Sequence, residues 1–447
     1  MRVGTPTVGR VPLASRVEPA SATRTVGPAV AVAVAAVLVA GTALGGYLLS
    51  RSGVDLHLGS TRPVGGHYRA HLTGWLLPAA FVALVGVHSG QRWAATLPWR
   101  RLLLASWAGT VAWAVTLALV GGGPRALGAP LTSRHEYLAE VARADAMGIG
   151  GFLREFAVYI VDTPPVWTTH VAGHPPLATL VFVLLHRIGL GGPTPAALLC
   201  VAVGACAVPA VLDSVRRRGS EGIARRAAPF LVLAPTALWV ATSADALFAG
   251  VAAVGLWLLV SAGGPARAVL GGAVLGATLF LSYGLVLLAP LALVAAWRGR
   301  ETARVVGPAL AGVAVVVAGF ALAGFVWWEG LAATARRVVL GAGHRDRPGW
   351  FFLFGNVAAS AVAVGPATVG ALARWRPAPW LWFPGAALLA MTVATASQLS
   401  VGEVERIYLP FTVWLLPLAA LLPSGRRWLA ASAGWAFLIA MTTELAW

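Results

Sequence analysis

An all-α, polytopic bundle of transmembrane helices is the fold this sequence predicts, and three observations predict it. Of 447 residues, 58% are hydrophobic and only 11% charged, with a mean hydropathy of +0.78. That leaves too little polar surface to cover a soluble body of this size. Runs such as AVAVAAVLVAGTALGG and ARVVGPALAGVAVVVAGFALAGF approach or exceed the ~20 apolar residues that cross a hydrocarbon core of ~30 Å. They lack the alternation of a membrane barrel, so helices are left to satisfy the backbone in lipid. Third, the arginines cluster in short connections between apolar runs. A net charge of +17 would point to nucleic acid in a soluble protein. Distributed this way it is the positive-inside pattern of a membrane protein, and no nucleic-acid partner is expected.

The elements follow in order. Residues 1–27 hold Arg2, Arg10, Arg16 and Arg24 among Pro, Thr, Ser and Gly and read as a disordered cytoplasmic tail. The run 28–50 is longer than the ~7–15 residues of a signal-peptide core and reads as an uncleaved first span. Spans at 72–89 and 102–121 place Arg92, Arg100 and Arg101 in the cytoplasm and residues 122–173 outside. Two apolar runs come next, 174–190 and 194–215, ahead of the most basic loop, with Arg216, Arg217, Arg218, Arg225 and Arg226. If both crossed, that loop would lie outside, against the charge rule. The run from His174 is short, opens with Pro175 and Pro176 and carries His186 and Arg187 near its end. It is read as an interfacial or re-entrant helix. Spans near 227–241, 246–262, 267–281, 284–297, 303–325, 351–372, 380–398, 408–423 and 428–444 complete eleven to thirteen crossings. They keep Arg298, Arg300, Arg304, Arg374, Arg376, Arg426 and Arg427 inside. Cys200 and Cys206 share one apolar run and read as packing residues rather than a disulfide framework.

Polar residues outside the basic loops gather on the outer face, in 122–173, at Asp245, in 326–350 and in 399–407. The strongest pattern is Arg134-His135-Glu136-Tyr137-Leu138-Ala139-Glu140, followed by Gly173-His174-Pro175-Pro176. A carboxylate held above the membrane can take the proton of an acceptor hydroxyl attacking a sugar C1, and nearby Arg and His can offset a phosphate leaving group. Arg345 and Arg347 stand in an outer loop, where the charge rule disfavours them, which suggests anion binding. Trp327, Trp328 and Trp350 fit an interfacial aromatic belt.

These motifs resemble the membrane glycosyltransferases of the GT-C type, in particular the protein O-mannosyltransferase and lipid A aminoarabinose transferase branch. Those enzymes carry an acidic pair, commonly Asp-Glu with a Tyr shortly after, in the first large outer loop. A His-Pro-Pro or Lys-Pro-Pro motif then opens the next membrane-associated helix. Glu136 matches the second acid, Tyr137 lies near the Tyr, and His174, Pro175 and Pro176 match the second motif. His135 replaces the first acid, so either Glu136 acts as base or the chemistry has changed. Asp245 in Ser243-Ala244-Asp245, and Arg406 in Glu405-Arg406-Ile407-Tyr408-Leu409-Pro410, match the family more loosely. The resemblance covers roughly residues 102–425. It implies a core at 102–447, with a large first extracytoplasmic loop containing interfacial helices, behind an extra N-terminal hairpin at 28–101. It also implies transfer of a sugar from a polyprenyl-phosphate donor to an envelope glycan, lipid or protein acceptor. Glu136, His135 and Asp245 would be the catalytic candidates, and His174, Tyr137, Arg345, Arg347 and Arg406 would hold substrate and phosphate.

Other readings stand beside this one. Ser133-Arg134-His135-Glu136 fits a helix capping box, Glu140 and Arg143 fit a surface pair, and His174 with its prolines fits a helix start. Asp245, at the outer end of a span, needs hydration or a partner, and Glu403, Glu405 and Arg406 fit a structural ion cluster. His135, Glu136 and His174 have donor types for a divalent metal at a spacing that is not diagnostic. A second His at zincin spacing, G-x-S-x-G and a P-loop are all missing from the sequence. A transporter or lipid flippase, or a non-catalytic envelope subunit, are the competing functions. The Arg, Ala, Val and Gly bias suggests a high-GC bacterium, its plasma membrane, and a site on the extracytoplasmic face.

Overall fold

The computed structural model describes residues 27–241, 243–341 and 347–445. The expected cytoplasmic tail and Arg345 lie outside the described residues. The architecture is that of an all-α helical membrane protein, with one two-stranded addition. Six helices among the described residues are long and apolar enough to cross a bilayer: Pro28–Arg51, Trp99–Val120, Pro193–Arg218, Gly299–Leu322, Gly349–Leu372 and Pro379–Ala396. Shorter apolar helices run at Pro176–Leu190, Ala244–Val260, Pro265–Leu281, Tyr283–Ala296 and Leu409–Leu421. Pro28–Arg51 leaves Val34, Val37, Leu44 and Leu48 on the outer surface, whereas Gly349–Leu372 is mostly enclosed. The first therefore turns its apolar side chains to lipid, and the second forms part of the core.

Small residues let the helices approach closely. A Cβ on Gly272 would lie 1.9 Å from the Ala309 carbonyl oxygen, and one on Gly312 would lie 2.1 Å from that of Val269. The helices Pro265–Leu281 and Ala303–Leu322 are thus locked backbone to backbone by reciprocal glycines, the packing that serves where lipid removes the hydrophobic drive.

Several of the expected spans are interrupted, among them 227–241 and 408–423. Glu221–Val232 ends before Pro235, and the chain resumes only as the single turn Ala237–Val240. At 408–423 a turn at Leu409–Thr412 gives way to the 3-10 segment Leu416–Leu421, with Pro410 and Pro417 opening the two pieces. Proline removes a backbone donor and clashes with the preceding turn, so these runs are apolar enough to be buried but cannot stay regular.

The loops sort into two ends. At the basic end arginines bind carbonyls exposed at helix termini. Arg225 Nη1 donates to Ala94 O (2.6 Å) and Leu97 O (2.9 Å), Arg298 Nη2 to Leu259 O (2.9 Å) and Val260 O (2.7 Å), and Arg218 to Ala295 O (2.7 Å) and Trp297 O (2.8 Å). At the opposite end lie the segments around Glu136, His170, Asp245, Trp327–Leu340 and Glu403. A loop at 52–75 that the motif reading passed over joins them, since Gly65 N donates to Glu405 Oε1 (2.9 Å). Its strand Gly66–Tyr68 pairs antiparallel with Thr443–Leu445, His67 opposite Glu444.

The helix Pro176–Leu185 and its π-helical extension His186–Leu190 begin and finish at the Glu136 end. His174 Nδ1 bonds His170 O (2.9 Å) before it, and Arg187 Nε donates to Asp145 Oδ1 (2.6 Å) after it. Gly189, at φ 82°, turns the chain back. Both ends of this segment therefore contact the same stretch, 122–173.

Candidate functional site

Local structure brings five charged or ionisable side chains from four segments into one largely buried network. Asp245 lies in the first turn of Ala244–Val260, where the helix dipole favours a carboxylate. Arg406 is carried by the single turn Val404–Ile407, entered through Glu403 in the left-handed region at φ 60°. From there Arg406 Nη1 donates to Asp245 Oδ2 (2.6 Å), and Nη2 to Glu403 Oε2 (2.5 Å) and His170 Nε2 (3.3 Å). His170 Nδ1 lies 2.8 Å from Glu136 Oε1. Glu136, Asp245 and Arg406 are each no more than 5% exposed, so removing any one strands its partners in a low-dielectric surrounding.

The loop presenting His170 is braced independently. Glu140 Oε1 accepts from Thr168 N (2.9 Å), and Arg143 pairs with Glu140 at 3.6 Å. Its guanidinium also lies over the rings of Trp167 (4.0 Å) and Tyr159 (4.5 Å). The Glu140–Arg143 pair is therefore present, not at the surface as expected but with Glu140 buried, and it serves to hold the His170 segment.

The hydrogen bonds settle a tautomer. Arg406 offers only donors, so the His170 Nε2 facing it must be unprotonated, and Nδ1 carries the proton given to Glu136. Burial pushes the Glu136 carboxyl upward, but the His170 hydrogen bond and the nearby Arg406 cation outweigh it and hold it below the ordinary glutamate range. Glu403 is likewise held low against its burial by Arg406 and Arg347. Arg406 loses to burial and gains more from Asp245, Glu403 and Glu136, so it stays a cation. His174 is pushed down, chiefly by burial, which keeps it neutral. The result is an ionised Glu136 whose Oε1 is occupied and whose buried Oε2 has no hydrogen-bond partner among the described residues.

Of the residues singled out in the sequence, Glu136, Asp245 and Arg406 meet in this network. Arg347 sits at its edge, with Nη2 4.0 Å from Glu403 Oε1 and Nη1 donating to Val401 O. Tyr137 and His174 line the network as packing: Tyr137 stacks on Phe182 (5.5 Å between centroids) and meets His174 edge-on (5.7 Å). His135 is not brought in; it is exposed, with Nδ1 3.1 Å from Thr169 Oγ1. The capping box at Ser133 does not form. Glu136 is itself the residue before the turn Tyr137–Glu140 and makes no capping hydrogen bond, because its side chain is turned inward to His170. His135, Glu136 and His174 form no metal-ligand group, and no three His, Cys, Asp or Glu side chains among the described residues converge as one. Cys200 and Cys206 are free thiols.

His170 is the participant that motif reasoning missed. The available signal was its position four residues before His174 in one outer segment, a spacing that puts both rings on one side of a helical turn. Compared with family models, curated proteins and solved structures, the chain matches none.

Proposed function

We propose that this chain is an integral-membrane glycosyltransferase that moves a sugar from a polyprenyl-phosphate donor to an acceptor hydroxyl at the Glu136 end of the bundle. The observation supporting it most is the Glu136 carboxylate: ionised, buried, oriented through Oε1 by His170, and with Oε2 uncommitted. In the transfer the acceptor oxygen attacks the sugar C1 as its proton passes to Glu136 Oε2. The C1–phosphate oxygen bond breaks, the lipid phosphate leaves with the bonding electrons, and the anomeric configuration inverts.

Arg406 faces two carboxylates and His170, so it serves this site by holding Asp245, Glu403 and His170 in place rather than by holding phosphate. Arg347, whose buried Nε has no hydrogen-bond partner among the described residues, is the cation for the leaving phosphate. The buried charged residues Glu136, Glu140, Asp213, Asp245, Glu405 and Arg406 lie near helix ends, whereas a carrier gathers such groups at the midplane. The distribution favours chemistry at a membrane face. With the arginine-bound end in the cytoplasm, that face is the extracytoplasmic one of a bacterial plasma membrane.

The test is incorporation of radiolabelled sugar from polyprenyl-phosphate donors into membranes holding matched amounts of wild type or Glu136→Gln. A fall of ~100-fold or more is expected for loss of the base. Transfer surviving in the variant would remove Glu136 from the role, and no transfer with any donor by wild type would overturn the enzyme.

A further inference from the structure

A cavity of about 450 Å³ opens at the same end as Glu136 but is built from other residues. Its walls include His71, Leu117, Arg125, Leu238, Ala440 and Glu444. Leu238 belongs to the turn Ala237–Val240, which packs on the Val404–Ile407 turn carrying Arg406, so the cavity adjoins the charge network without sharing its side chains.

The polar groups here are unevenly committed. Both Glu444 carboxylate oxygens lie 3.0 Å from Arg69 Nη1, so the acid is already neutralised. The Arg125 guanidinium is exposed, and it has no hydrogen bond or ion pair among the described residues. The His71 side chain likewise has no hydrogen bond, although the residue is only 6% exposed, and its ring borders the cavity. Its ring nitrogens are not fully enclosed, so they are reached from the cavity, with the Glu444 carboxylate as an electrostatic neighbour. An unpaired guanidinium and an imidazole open to the cavity, beside an acid already paired with Arg69, favour an anion.

The remainder of the wall is apolar, through Leu117, Leu238 and Ala440. Beside it Leu72 and Leu77 are 76% and 74% exposed, on surface that a bilayer would cover. A soluble anion would gain nothing from these contacts, whereas an amphiphile would place its first carbons on them. The volume falls within the ~300–1,000 Å³ of small-molecule sites.

We propose that this cavity is a second binding site, for a lipid with a phosphate-monoester headgroup, Arg125 and His71 holding the phosphate and the leucines the proximal chain. It does not depend on the glycosyltransferase reading. The test uses full-length, delipidated protein in neutral detergent and native mass spectrometry, with dihexanoyl phosphatidic acid, dihexanoyl phosphatidylcholine and inorganic phosphate as probes. Phosphatidic acid is expected to bind at least tenfold more tightly than either other probe. Arg125→Ala and His71→Gln should each weaken it, the first by about tenfold or more for a lost charge-assisted bond. Arg300→Ala, an exposed arginine at the opposite end, should change nothing. Equal binding of phosphatidylcholine, or affinity unmoved by Arg125→Ala, would overturn the anion site. Inorganic phosphate binding as tightly as the lipid would overturn the amphiphile.

Discussion

Replacing Arg406 by Ala is the most informative perturbation of the charge network. The guanidinium spans Asp245 at 2.6 Å, Glu403 at 2.5 Å and His170 at 3.3 Å, and Arg406 and Asp245 are each only 6% exposed in their side chains. Truncation leaves Asp245 as an uncompensated buried carboxylate and Glu403 with Arg347 as its remaining cation, at 4.0 Å. Breaking a buried pair by removing one partner costs ~3–5 kcal/mol. That corresponds to a change in the folded-to-unfolded ratio of roughly a hundred to several thousand. Asp245→Asn added to Arg406→Ala removes the stranded charge, so the double variant should recover ~1–3 kcal/mol relative to the sum of the singles. The assay is denaturant-induced unfolding of the detergent-solubilised protein, followed by tryptophan fluorescence, for wild type, both singles and the double. A loss below ~1 kcal/mol for Arg406→Ala, or strictly additive singles, would refute the claim that this pair is buried and mutually dependent.

Three further outcomes follow from the same geometry. His170→Ala removes the hydrogen bond that holds Glu136 low while burial stays, so the Glu136 carboxyl must rise; the acid limb of any Glu136-dependent transfer should move to higher pH, and an unmoved limb would show that His170 does not orient Glu136. Burial pushes Glu405 up to about 7, against the Gly65 amide. Because its folded value lies above its unfolded one, stability is highest at low pH and falls as pH rises from about 4.3 through 7. Glu405→Gln should therefore be nearly neutral at pH 5 and stabilising by ~1–3 kcal/mol at pH 8, and a pH-independent difference in unfolding midpoint would contradict it. Finally, Ile188 is 71% exposed at the end of the Pro176–Leu190 helix, so a membrane-impermeant maleimide should label Ile188→Cys in intact cells and label Arg300→Cys only after permeabilisation. The reverse pattern would invert the orientation, and labelling of both only after permeabilisation would mean that the helix crosses.

Much of the fold was legible in one dimension, because the lengths of apolar runs and the places where arginines interrupt them are properties of sequence. The expected boundaries at 28–50, 303–325 and 351–372 meet helices at Pro28–Arg51, Ala303–Leu322 and Gly349–Leu372. The charge rule led to the expectation that the run from His174 returns, and His174 and Arg187 both contact the 122–173 segment. Hydropathy could not show that the runs at 227–241 and 408–423 break at prolines, because it weighs transfer to lipid and not the backbone hydrogen bonds that proline removes.

The candidate site was less visible, for a different physical reason. A buried charge must find a partner, and the sequence shows the need without naming which partner meets it. Asp245 was recognisable as an acid requiring company, but Arg406 stands 161 residues away, and His170 stands 236 residues from Arg406. Chain proximity misled in the opposite direction at His135 and Glu136. They are neighbours in sequence, yet one faces solvent and the other is buried on His170. The sequence determined which segments are apolar and where polar residues collect, since both follow from local composition. Tertiary structure alone decided which of those residues meet, which Glu136 oxygen is engaged and which tautomer His170 adopts, because each depends on distances between segments that no local pattern encodes.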